Sequence, residues 1–218
     1  MAFRKIFNFA FQSTFKMNNE TEYLGQLADI RRMMEKSTKF VSLSGFSGII
    51  IGCYALVATW LTGRLLVQQQ DNAVGEIIVL GAVVLVLSLA TALYLTYRRS
   101  KKMNQPFMGP GSKQLFSALV IPLVTGGVLA MILIVGEVYW MVAPVLLLFY
   151  GLAISGASRF SHPELLYMGL SQVILGLLAA WLPQYGLIFW GAGFGMIHIL
   201  YGTWMYLKYE RNGKNLSA

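Results

Sequence analysis

Residues 187–207 read LIFWGAGFGMIHILYGTWMYL, and four of them are separated by steps of four, three and four positions. These four are Gly191, Gly195, His198 and Gly202. On an α-helix such spacing places residues on one face. Neighbouring helices approach closely at glycine, and a histidine within an apolar span needs a hydrogen-bond partner. We therefore expect this face to contact protein and the bulky opposite side to contact lipid or large side chains.

The rest of the chain is similarly apolar. Of its 218 residues, 56% are hydrophobic and 12% are charged, and the mean hydropathy is +0.61. A soluble domain carries about 25% charged residues, whereas an apolar run of about 18 residues is long enough to cross a bilayer. Six runs reach that length: 40–61, 77–97, 115–135, 138–158, 165–183 and 187–207. The sequence predicts an all-α membrane protein whose domain 38–208 contains six transmembrane helices in a lipid bilayer.

The positive charge is distributed unequally between the two sides of these spans. Of 17 Lys and Arg residues, 16 precede the first span, follow the last one, or lie in the even-numbered loops, and only Arg64 is on the other side. The positive-inside rule then places both termini in the cytoplasm, in a multi-pass bacterial inner-membrane protein. Nucleic acid is not an expected partner, because no folded domain presents the basic residues as a binding surface.

The region before the first span has two parts. Residues 1–18 are basic and aromatic, but polar residues interrupt the apolar core that a signal peptide requires, and Met17 is a second candidate for the start. Residues 19–37 predict a cytoplasmic amphipathic helix that either anchors the first span or binds a partner. The run 19–48 resembles the opening of small, uncharacterised bacterial six-span membrane proteins, and this resemblance implies no activity. Residues 209–218 are expected to be a cytoplasmic tail.

Glycine positions repeat between spans. An offset of 124 residues carries Gly45, Gly48 and Gly52 of span one onto Gly169, Gln172 and Gly176 of span five. An offset of 51 carries the pair at 150–151 in span four onto the pair at 201–202 in span six. These coincidences predict three similar helical hairpins, formed by spans one and two, three and four, and five and six. The predicted helix-packing positions are Gly45, Gly48, Gly52, Gly169, Gly176, Gly191, Gly195 and Gly202.

Polar side chains near the bilayer centre are the candidates for chemistry. His198 is 12 residues beyond Gly186, which corresponds to roughly 18 Å along a helix. Gln172 lies at a similar depth in the preceding span, so the two side chains either bond to each other or form a site for a proton, a metal or a haem. Thr125 and Tyr150 are level with one another in spans three and four. Together with Gln172 and His198 they are expected to form a belt of polar side chains near the bilayer centre.

The outer side offers fewer candidates. Glu137 follows span three, and the predicted outer loop 62–76 contains Asp71 and Glu76. The sequence identifies no cofactor: within one subunit His162 is too far from His198 to share a haem, so a haem would need two copies of His198. No metal site is predicted, since Cys53 is the single cysteine and His162 with Glu164 supplies two ligands.

Two functions remain open at this stage. The first is a non-enzymatic scaffold, sensor or accessory subunit that packs against a second copy or a membrane-protein partner, in keeping with the glycine faces. The second is a small-solute or proton-coupled transporter with a path past His198 and Gln172. An enzyme is not expected, because no span contains paired carboxylates, a zinc-protease motif or a serine beside a base.

Overall fold

The computed structural model describes residues 44–68, 72–103 and 107–211. This part of the chain is helical and contains no strand. The predicted segment 1–18, the amphipathic helix 19–37, Asp71 and most of the predicted tail lie outside the described residues. The six predicted spans are confirmed to the extent that six described helices are long and apolar enough to cross a membrane.

The first five helices are α1 (Gly45–Gln68), α2 (Ala73–Lys102), α3 (Pro110–Val135), α4 (Val142–Ala157) and α5 (Leu165–Trp181). Single 3-10 turns, Tyr139–Met141 and Ser158–Phe160, flank α4, and a third, Pro183–Tyr185, follows α5. The last helix, α6, has four consecutive segments: α-helical Gly186–Trp190, a π-helix at Gly191–Ile197, α-helical His198–Met205 and a second π-helix at Tyr206–Arg211.

The first predicted outer loop is shorter than expected. It was predicted over 62–76, but α1 continues to Gln68 and α2 begins at Ala73. The part of the predicted loop that is helical in α1, residues 62–68, includes Leu65 and Leu66 beside Arg64, and arginine and leucine are good helix formers. Polarity marks where a helix leaves the bilayer core, and it does not mark where the helix ends.

Helix α6 lies centrally among its neighbours. It packs on α1 along most of its length and also contacts α4 and α5. Helix α1 packs in addition on α2, and α4 packs on both α3 and α5. Helices α2 and α3 are therefore at the edges, and the buried residues of α2 are Thr96 and Ser100.

Two interfaces share the same glycine geometry. A Cβ atom added to Gly45 of α1 would lie 2.7 Å from the carbonyl oxygen of Gly202 in α6, and one added to Gly169 of α5 would lie 2.7 Å from that of Gly151 in α4. These pairs are related by the offsets of 124 and 51 residues found in the sequence. Each matched pair joins helices that belong to different predicted hairpins. Backbones approach this closely only where both residues lack a side chain.

Candidate functional site

One segment in the first half of α6 departs from α-helical geometry. The segment Gly191–Ile197 is a π-helix with α-helical residues on both sides. Its sequence includes Gly191, Gly193 and Gly195, all buried, and glycine adapts easily to unusual backbone geometry because it has no Cβ atom. Single π turns within α-helices are rare and frequently occur at functional sites.

One backbone carbonyl in this segment accepts two side-chain hydrogen bonds. Gln172 Nε2 of α5 donates to the Gly193 oxygen at 2.8 Å, and His198 Nδ1 lies 3.0 Å from the same oxygen. A carbonyl can only accept, so Nδ1 carries the hydrogen. The other ring nitrogen, Nε2, lies 2.6 Å from the Tyr150 hydroxyl of α4 and accepts its hydrogen in the neutral ring. Three helices thus meet at the Gly193 carbonyl and His198.

Tight packing encloses this cluster. The side chain of Gln172 is fully buried and His198 is 5% exposed. The Phe194 ring lies with its centroid 5.0 Å from that of Tyr150 and 5.9 Å from that of His198. Among the described residues, Gln172 Oε1 has no hydrogen-bond partner. The cluster therefore combines a fully bonded histidine with one unpaired buried acceptor.

The arrangement differs from the sequence prediction in how Gln172 and His198 meet. A direct bond is one of the two alternatives that the sequence leaves open, whereas in the structure both side chains bond to the carbonyl of Gly193. The sequence predicts a similar depth for the two side chains. The acceptor between them, the Gly193 carbonyl oxygen, belongs to the π segment. A single π turn leaves no periodic pattern of residues in the sequence, so it could not be predicted from the sequence.

Thr125 is not part of the cluster. Its side chain is exposed on α3, and its hydroxyl donates to the carbonyl of Ile121 at 2.9 Å. A threonine in a helix can satisfy its hydroxyl in this way without any partner helix. The predicted belt therefore reduces to Tyr150, Gln172 and His198.

The predicted glycine stripe of α6 faces two neighbours. A Cβ atom on Gly191 would meet Thr59, one on Gly195 would meet Leu56, and one on Gly202 would meet Gly45, so these glycines face α1. The His198 ring instead contacts Tyr150 of α4. The π segment lies between Gly191 and His198 and alters the angular spacing that an α-helix would give.

The remaining predicted positions are distributed around the bundle. Gly48 and Gly52 pack against α6, Gly176 packs against Leu148 of α4, and Glu76 is exposed near the start of α2. Glu137 has a φ of 60° in the turn after α3. Its neighbour Val138 donates a backbone hydrogen bond to Leu133 at 2.8 Å, as in a helix-ending motif that usually has glycine at this position.

One end of the bundle, which we call the charged end, contains a polar network that the sequence did not predict. Glu210 Oε1 accepts from the Gly45 backbone nitrogen at 2.6 Å, from Arg99 at 2.9 Å and from Ser44 at 3.4 Å. It therefore caps the start of α1 and joins it to α2 and α6.

A second acidic residue acts at the same end. Glu164 Oε1 accepts from Lys208 and from the Tyr209 hydroxyl, the latter at 2.8 Å, and the buried His162 ring lies 4.3 Å from the Tyr209 ring. A signal was present in the sequence: Glu164 and Glu210 are the only acidic residues after Glu137, and Glu210 lies between Lys208 and Arg211.

The chain matches no protein-family model, no curated protein and no solved structure.

Proposed function

We propose that this chain is a non-enzymatic integral membrane scaffold or accessory subunit, with both termini in the cytoplasm of a bacterial cell. In this proposal its three hairpins pack with a second copy or with another membrane protein. The Tyr150–Gln172–His198 cluster then has a structural role and holds α4, α5 and α6 together. Its buried, hydrogen-bonded imidazole supports that role.

The exposed apolar faces of the two edge helices carry the proposal. No residue in the most apolar stretch of α2 is buried. An apolar groove of about 530 Å³ lies along the exposed side of α3. Val124, Val128 and Met131 are among the residues that line this groove. Van der Waals packing drives helix association in lipid, so a grooved apolar face suits a helix of a partner.

Site-specific photo-cross-linking in native membranes tests this function. The cross-linking residue replaces Val86 of α2 or Val128 of α3, which are 64% and 56% exposed. The matched control replaces Leu177 of α5, which is 58% exposed. We expect one discrete protein product from the edge positions and none from the control. Products of equal yield from all three positions, or none from any of them, would contradict the proposal.

A proton-coupled transporter is the second candidate, and a specific observation favours it. Gln172 Oε1 is buried without a partner among the described residues, beside a π segment and a histidine. Polar groups of this kind mark ion pathways in some membrane proteins. In liposomes with a pH-sensitive dye inside, the scaffold proposal predicts equal proton flux for wild type, His198→Phe and the control Thr125→Val. Loss of flux in His198→Phe alone would favour the transporter.

A further inference from the structure

A second groove lies between the facing sides of α1 and α2, next to the connection between them. Its volume is about 880 Å³. Arg64, Gln68, Asn72 and Glu76 line the part nearest the connection, and Leu80 and Val83 line the part further along α2. The groove therefore changes from polar to apolar along the helices, in the same direction as a bilayer does from headgroups to acyl chains.

Two opposite charges line this groove, one on each helix. Arg64 is four residues before Gln68 near the end of α1, and Glu76 is four residues after Asn72 at the start of α2. The Arg64 guanidinium lies 5.1 Å from the centroid of the Trp60 ring, which holds it beside the groove. The ion pairs among the described residues are Arg99–Glu210 and Lys208–Glu164, so Arg64 and Glu76 are not paired with each other.

We propose that this groove binds a membrane phospholipid with an ethanolamine headgroup. Its phosphodiester pairs with Arg64, its ammonium group donates hydrogen bonds to Glu76, and one acyl chain lies along Leu80 and Val83. A guanidinium and a carboxylate on opposite walls complement a headgroup that carries both charges. A choline headgroup has no N–H donor for Glu76, and a glycerol headgroup has no cation.

Competition between two lipids tests the headgroup. The purified full chain is placed in mixed micelles with equimolar phosphatidylethanolamine and phosphatidylcholine of identical acyl chains, and the retained lipid is identified by native mass spectrometry. For wild type we expect roughly a threefold to fivefold preference for the ethanolamine lipid, as for an exposed charge pair. Glu76→Gln should abolish the preference while lipid is still retained, and Arg64→Gln should reduce retention of both lipids.

Two glycines of α2 supply a matched steric test. A Cβ atom added to Gly75 or to Gly81 would meet no atom within 4 Å, so a side chain at either position begins in open space. Gly75 lines the groove. We expect Gly75→Leu to lose the retained ethanolamine lipid and the control Gly81→Leu to retain it. Equal retention of both lipids by wild type, or equal lipid retention by the two leucine variants, would overturn the proposal.

Discussion

His198 has both ring nitrogens occupied by protein groups, and this determines what a substitution nearby should do. Its Nδ1 bonds to Gly193 and its Nε2 to Tyr150. The need for a hydrogen-bond partner, and the depth that His198 shares with Gln172, were predictable from sequence. The identity of the partners was not, because they depend on a π turn in α6 and on which face of α4 meets it.

Tyr150→Phe should destabilise the fold, because it leaves His198 Nε2 buried without its partner. We expect a loss of about 1 kcal/mol in unfolding free energy. Equilibrium unfolding of the purified protein in mixed micelles measures this loss. The control is Tyr167→Phe, at a tyrosine that is 72% exposed. A cost no larger than that of the control would show that the Tyr150 hydroxyl is not part of the cluster.

At the scale of helices, close glycine contacts decide which elements are neighbours. The sequence shows glycine faces on spans one, five and six, and it does not determine which helix each of these faces contacts. Only the structure assigns α1 to α6 and α5 to α4. The matching offsets are visible in the sequence, where they predict similar hairpins, and in the structure they correspond to two equivalent interfaces.

Gly202→Ala should push α1 and α6 apart. The new Cβ atom would lie 2.7 Å from both the Gly45 oxygen and the Ile49 nitrogen, which are backbone atoms that cannot rotate away. We expect a cost of about 1–3 kcal/mol in unfolding free energy. Gly151→Ala should behave in the same way, since it meets the Gly169 oxygen at 2.7 Å.

Gly156→Ala is the matched control for these variants, because its Cβ atom would meet nothing within 4 Å. It should leave stability unchanged or raise it by up to about 1 kcal/mol through helix propensity. Unfolding curves of the three variants in one detergent mixture provide the comparison. If all three are equally stable, the close packing of α1 with α6 and of α4 with α5 is refuted.

The charged end should show energetic coupling between α2 and α6. Glu210 and Arg99 form an ion pair at 2.9 Å, and their side chains are 18% and 12% exposed. A double-mutant cycle with Glu210→Gln and Arg99→Gln should give a coupling free energy of about 1 kcal/mol. The same cycle with the exposed neighbour Arg98 should be additive. Coupling of equal size in both cycles would mean that general charge, and not this ion pair, is measured.

At the scale of the whole molecule, composition was enough to predict six apolar helices. Their lengths along the chain were less predictable, since α1 and α2 extend past the apolar residues into polar sequence. The network around Glu164 and Glu210 was also missed, because bonds between residues as far apart as Gly45 and Glu210 depend on which helix ends meet. Charge distribution, by contrast, predicts orientation without any knowledge of packing.

This orientation can be measured with fusion reporters in a bacterial host. Because the predicted spans place 16 of the 17 basic residues on one side, we expect a green fluorescent protein fused after Ala218 to fluoresce. Alkaline phosphatase at the same position should be inactive, since it folds only outside the cytoplasm. As a control, phosphatase fused after Gln68, at the end of α1, should be active. The reverse pattern would show that the chain is inserted the other way.

Native mass spectrometry of the full chain, extracted gently from its own membrane, reports stoichiometry, protein partners and bound small molecules together. The scaffold proposal predicts a mass of two or more protein chains, either copies of this 24.2 kDa chain or a complex with another membrane protein, with only lipids added. A monomer that carries a haem, a metal or a defined small molecule would contradict it. That result would make Tyr150, Gln172 and His198 a binding site instead of a packing cluster.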